Sequence, residues 1–205
     1  MANTSRINGF RVVKHTNGSA FNGQSNLYYV SSATDEILVG DVVKLAGSAD
    51  TNGIASVDIA GINDMPVGIV TAVVNPKIDV SGKMTNGAIT LDLPQSAQIA
   101  ASAAGYVMVA DSPDVIMEVE AGTGGTALAA TDVGLNVKMA VGARTSATLT
   151  SPAVIDTAVA PAVTATFMFQ LLGFAQKINN EIGASAKVLV RFNQHQYRSV
   201  GNVGL

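Results

Sequence analysis

Short apolar runs punctuated by Gly, Asn, Asp and Ser recur along the chain at a spacing of roughly eight to twelve residues. That rhythm belongs to an all-β sandwich or barrel rather than to alternating strands and helices. In the first half it predicts strands over residues 26–30, 37–45, 54–62, 66–74 and 88–93. Gly40-Asp41 interrupts the second of these, which calls for a bulge or tight bend at Gly40. Residues 48–53 read as a turn, and Pro76, Gly82 and Asn86-Gly87 as punctuation of a hairpin region.

The second half repeats the style, with strands expected over 106–110, 114–120, 135–141, 147–150, 163–172 and 187–193. In 115–120, Val115, Met117 and Val119 share one face and Glu118 and Glu120 the other, as a half-buried strand requires. Val188, Val190 and Phe192 point inward in the same way. The run 163–172 is apolar on both faces, so Met168 and Leu172 are expected to meet a neighbouring subunit or a second sheet. Residues 122–125 read as a flexible tip and 150–161 as a connector. Helix is expected only as a short turn in the alanine-rich stretch 96–104, ended by Gly105.

Composition sharpens this picture. The chain has 205 residues, 48% of them hydrophobic and only 13% charged, with no Cys and no Trp. Charged residues usually make up about 25% of a soluble domain, so the apolar surplus points to subunit contacts buried in an assembly. No apolar stretch approaches the roughly 20 residues of a membrane span. The polar start of the chain shows no secretory signal, and synthesis in a cytosol is expected. The organisation read from the sequence is an N-terminal extended arm over 1–24, one β-domain over 25–193 and a C-terminal tail over 194–205.

The net charge of −3 hides an asymmetry. Residues 1–34 carry Arg6, Arg11 and Lys14 without an acid. Residues 167–205 carry Lys177, Lys187, Arg191 and Arg198 against Glu181 alone, so the middle is strongly acidic. Such a chain can dock its basic ends on an acidic neighbour, including another copy of itself. The basic residues are too few and too scattered for phosphate neutralisation, and aromatics at 5% give no stacking platform, so no nucleic-acid partner is expected.

Candidate chemistry is sparse. His15 and His195, with Asp35 or Glu36, lack any paired-ligand spacing and read as surface or capping residues, so neither metal nor cofactor is expected. Gly122-Thr123-Gly124-Gly125-Thr126 lacks the Lys-Ser/Thr of a phosphate loop. Asp111 and Asp114 flank Pro113 in an ordinary turn, and no serine sits in a nucleophile-elbow motif. The expected protein is not an enzyme.

A set of segments carries a resemblance. These are the opening Met-Ala-Asn-Thr-Ser-Arg-Ile-Asn-Gly-Phe-Arg, Asn22-Gly23-Gln24 before Tyr28-Tyr29-Val30, Val39-Gly40-Asp41-Val42-Val43-Lys44-Leu45, Pro66-Val67-Gly68-Ile69-Val70, and the closing Ala186-Lys187-Val188-Leu189-Val190-Arg191-Phe192-Asn193-Gln194-His195-Gln196. Together they resemble the structural cement, or head-decoration, proteins of tailed bacteriophages. The resemblance covers both ends and the first third of the chain and none of 94–161. It implies a jelly-roll-like β-sandwich or barrel that oligomerises on the outer capsid surface of a virion and clamps adjacent major capsid proteins. No active site comes with it. A glycan-binding head-fibre or lectin-like module, or a self-assembling tail or surface-layer subunit, would share the β pattern.

The first 24 residues suit a strap that reaches such a neighbour. They combine three Asn-Gly turns with the apolar anchors Ile7, Phe10 and Phe21 and the basic set Arg6, Arg11 and Lys14. The competing expectation is an arm that packs along its own domain.

Overall fold

The computed structural model describes residues 3–31, 35–74, 98–144 and 150–198. Its strands in chain order are β1 Arg11–His15, β2 Asn26–Val30, β3 Ile37–Leu38, β4 Val42–Ala49, β5 Ala55–Ile59, β6 Gly68–Val74 and β7 Gln98–Ile99. There follow β8 Gly105–Ala110, β9 Val115–Glu120, β10 Asn136–Val137, β11 Met139–Val141, β12 Ala153–Ile155, β13 Phe169–Phe174 and β14 Lys187–Phe192. A 3-10 turn over Ala130–Asp132 is the single helical element among the described residues. The protein is all-β.

Two structures share the strands. β2, β5, β4, β6 and β8 close into a small barrel in that order, with β2 and β5 parallel at Tyr29 and Ser56 and every other neighbour antiparallel. Beside it lies an antiparallel five-stranded sheet in the order β1-β9-β14-β13-β10. Of the two-stranded pairs, β3 with β7 adds Ile37 and Ile99 to the barrel core, and β11 with β12 adds Met139, Ala153 and Ile155 to the core of the sheet. Valines on alternate positions fill the barrel, among them Val30, Val43, Val57, Val107 and Val109. The inner face of the sheet builds a second core from Met117, Val119, Phe169, Leu171, Val190 and Phe192, and Val42, Ile69 and Ala110 of the barrel strands belong to that same core.

Gly40 is the joint between them. Its φ of +90° lies in the left-handed region, which stops β3 and lets β4 start on a new line. The N-terminal arm crosses at this point, and a Cβ on Gly40 would stand 2.9 Å from the carbonyl oxygen of Asn8. Phe10 N–H then donates to the Gly40 carbonyl at 2.9 Å. The bend expected at Gly40 is thus also the seat of the arm.

Several boundaries differ from the sequence reading. The run 163–172 begins its strand only at Phe169 and continues through Gly173 to Phe174, because 163–168 form bends and a turn instead of extending it. The connector 150–161 contains β12, which pairs with β11. No helical turn forms at 98–104; Gln98 and Ile99 pair with β3 as a short ladder. The expected 88–93 strand, its hairpin region and residues 145–149 of the expected 147–150 strand lie outside the described residues.

The ends depart from the arm-and-tail division. β1 is an integral edge strand, antiparallel to β9. The tail folds back on the barrel: Gln196 N–H donates to the Pro66 carbonyl at 2.8 Å, and its Oε1 accepts from Leu45 N–H at 2.7 Å. Tyr197 and Tyr28 hydroxyls meet at 2.9 Å, and Arg198 pairs with Asp114 at 3.0 Å. Residues 199–205 of the tail lie outside the described residues.

Candidate interaction face

The outer face of the five-stranded sheet gathers most of the charge from both ends of the chain. Register fixes which side chains share it: Arg11 stands opposite Glu118, Lys14 opposite Ile116, Arg191 also opposite Ile116, and Lys187 opposite Glu120. With period-two alternation these positions all point away from the core. The basic segments at the two ends of the sequence therefore meet on one surface, because β1 and β14 flank the same strand, β9.

Glu120 organises the surface. It is 2% exposed despite its outward position, since the arm lies over it. Ser5 Oγ donates to it at 2.6 Å, Arg6 N–H at 2.8 Å and Lys187 Nζ at 2.8 Å. Burial alone would raise the carboxyl; the hydrogen bonds from Lys187, Ser5 and Arg6 outweigh it and hold Glu120 below the ordinary carboxylate range. Lys187 Nζ also donates to the Arg6 carbonyl. Lys177 pairs with Glu118 at 2.7 Å, and Arg191 Nε donates to Gln170 Oε1 at 2.9 Å. Among the described residues no carboxylate stands within ion-pair distance of Arg6, Arg11 or Lys14, and all three side chains are exposed.

The sequence-predicted contact residues divide sharply. Arg6, Arg11 and Lys14 are on the outer surface, and Ile7 is 44% exposed beside Pro152 and Val154. Phe10 is not an anchor for an external surface. It is 2% exposed and stacks on Phe169 with ring centroids 4.6 Å apart, because the bend at Gly40 turns it into the chain's own core. Met168 is 1% exposed within the same core, so its partner is the molecule's own interior. Leu172 is half-buried at the register shift of β13, and Phe21 packs against the edge of the main core. An open cleft of about 610 Å³ runs between β1 and β6, lined by Phe10, Arg11, Val13, Phe21, Ile69 and Thr71.

Three polar clusters escaped the sequence reading. Asp41, 1% exposed, receives Arg144 in a bidentate pair, both contacts 2.9 Å, and accepts Leu38 N–H at 2.7 Å. Asp111 accepts the Tyr28 hydroxyl at 2.6 Å and both contacts from Asn26; burial and the hydrogen bonds of Tyr28 with Asp111 and Tyr197 raise the Tyr28 phenol. His195 is 1% exposed, edge-on to Phe192 at 4.9 Å, and its Nδ1 accepts Tyr197 N–H at 3.1 Å. Burial depresses it to about 4, against the opposing influence of the Val67 backbone and of Asp111. The signal for Asp41 was the Gly40-Asp41 break itself; nothing local pointed to Arg144. No group of three or more His, Asp or Glu side chains arranged for a metal occurs among the described residues.

Comparison of the chain with known protein-family models, with curated proteins and with solved structures finds no match.

Proposed function

We propose that the protein is a non-enzymatic cement, or decoration, subunit that binds the outer surface of a tailed-phage capsid and stabilises contacts between major capsid proteins. The observation that carries the reading is the gathering of both basic chain ends on one sheet face of an otherwise acidic molecule. That face suits an acidic protein neighbour, and complementary charge steers and orients docking. The segments that resemble cement proteins include the arm up to Arg11 and all of β14, together with the Gly40 joint that seats the arm. In this reading the barrel and the adjoining sheet form the body of a jelly-roll-like subunit, further copies of the chain join it on the shell, and the arm residues Arg6, Ile7, Arg11 and Lys14 contact the neighbour.

Binding only the assembled shell stabilises that shell by mass action. The test compares thermal or osmotic rupture of otherwise identical heads with and without the protein. A higher threshold with the protein is expected, and equal thresholds would overturn the proposal. Retention on immobilised glycans without head binding would replace it with a lectin-like role.

A further inference from the structure

The loop between β13 and β14 presents an isoleucine to water in a rigid frame. Ile178 is 94% exposed and Ile182, on the same loop, 56%. Scattered exposed apolar residues are ordinary on any surface. This one differs in how firmly its backbone is held. Asn180 N–H closes a turn onto the Lys177 carbonyl at 3.2 Å, with Asn179 at a φ of +64°. The Asn180 side chain donates to the carbonyls of Ala175 and Lys187 at 2.7 and 2.9 Å and accepts Lys187 N–H at 2.7 Å. From the arm, Asn3 donates to the carbonyls of Glu181 and Ala184 at 2.7 and 2.9 Å and accepts Glu181 N–H at 2.8 Å. Two asparagines thus fix a loop whose tip packs on almost nothing within the chain.

Holding a contact residue in place before binding removes ordering entropy from the association. The surroundings say what the tip meets. Around the loop and the sheet face beside it stand Arg6, Arg11, Lys14, Lys177, Lys187 and Arg191, six cations, against the carboxylates Glu118, Glu120 and Glu181, while the whole chain has a net charge of −3.

We infer that the Lys177–Ile182 loop is a preformed docking knob whose Ile178 inserts into an apolar pocket rimmed by carboxylates on a protein partner. Resting on the reading above, that partner is the shell protein of the capsid. The arm has a second task here: through Asn3 it splints the knob, so the arm and the loop act as one contact unit.

The experiment uses heads of the encoding phage stripped of this protein and measures rebinding of the full chain. Wild type is expected to bind, more weakly as salt rises. Ile178→Asp is expected to lose at least roughly tenfold in affinity, the effect of withdrawing a buried isoleucine side chain, while Ile178→Leu keeps most of it. Because the side chain is exposed, both variants are expected to melt with the wild type, which separates docking from folding. Asn3→Ala, which leaves Ile178 intact, is expected to weaken rebinding in the same direction. If wild type and Ile178→Asp rebind equally, the knob is refuted and the decoration role stands. If wild type binds no heads, the decoration role itself falls. If Ile178→Asp rebinds heads normally but sediments as a smaller species, the pocket belongs to a second copy of the chain and the assignment to the shell is wrong.

Discussion

Lowering the pH from 7 to 4.5 should reduce the stability of the fold, and His195 is a group responsible. Tyr197 N–H donates to its Nδ1, so the neutral ring carries its proton on Nε2. A second proton would have to sit on Nδ1, where it would face an N–H donor in a site closed by Phe192 and Tyr197. The charges that act on the ring are those of Asp111 and Asp114, which favour its protonated form, and of Arg198, which opposes it. The native imidazole is therefore held down to about 4 from 6.5, while the unfolded chain protonates near the ordinary value. Between those values the unfolded state binds the extra proton, so stability falls as pH drops from 6.5 to 4 and is flat above and below. At about 1.4 kcal/mol per unit the loss is roughly 2 kcal/mol by pH 5 and 3 kcal/mol by pH 4. That is a large share of the roughly 5–15 kcal/mol that holds a domain together. Urea midpoints of wild type and His195→Gln measured from pH 7.5 to 4.5 isolate the effect. The variant is expected to lose the slope over this window whatever its absolute stability. The carboxyl groups held low by partners, Glu120, Asp64 and Asp50, lose their contribution only at lower pH as they protonate. Parallel curves for the two proteins would refute the reasoning.

Asp41→Ala leaves the Arg144 guanidinium without its bidentate partner and should cost about 3–5 kcal/mol by urea denaturation, whereas the double replacement Asp41→Leu, Arg144→Met should cost distinctly less. Gly40→Ala must hold alanine at a φ of +90° with its Cβ 2.9 Å from the Asn8 carbonyl oxygen, and a loss of about 2 kcal/mol or more is expected, with faster proteolysis of the arm. Met168→Glu places an unpaired charge in the core and should abolish the folded state as judged by circular dichroism, while Met168→Ala should cost about 2–5 kcal/mol and remain folded. Removal of residues 1–14 takes out Phe10 and most of β1 and should lower the melting temperature, so it reports on folding before it reports on docking.

Some elements were legible because their pattern is local. Residues 26–30 form the expected strand residue for residue, and 187–192 show the expected alternation of inward valines and outward cations. Glu120 broke its own pattern: it points outward, as period two requires, yet is buried by Ser5 and Arg6 from 115 and 114 residues away. The 163–172 run misled for a related reason. Its apolar and threonine-rich composition suits a strand, but Asn193 anchors the carbonyls of Ala165 and Phe167 and holds that stretch in a turn. In the 98–104 stretch Gln98 and Ile99 pair with β3, a contact no local window contains, and 100–103 close a turn with Ser102 at a φ of +61°. Of the candidate surface, the excess of cations at each end was visible, but their meeting depends on β1 and β14 choosing one strand between them. Likewise Phe10 reads as an exposed anchor until the Gly40 bend aims it inward.

The placement of β9 between β1 and β14 also governs when the basic face comes into existence. β1 emerges early in synthesis, its partner much later, and β14 last of the five strands in that sheet. The barrel strands β2 to β8 all precede β9 in the chain. Non-local pairing of this kind is slow, because distant segments must find each other before any contact rewards them. A nascent or truncated chain therefore lacks the surface on which Arg11, Glu118 and Lys187 line up. The charge pattern of that face is thus a property of the finished sheet, since its cations come from strands at opposite ends of the chain.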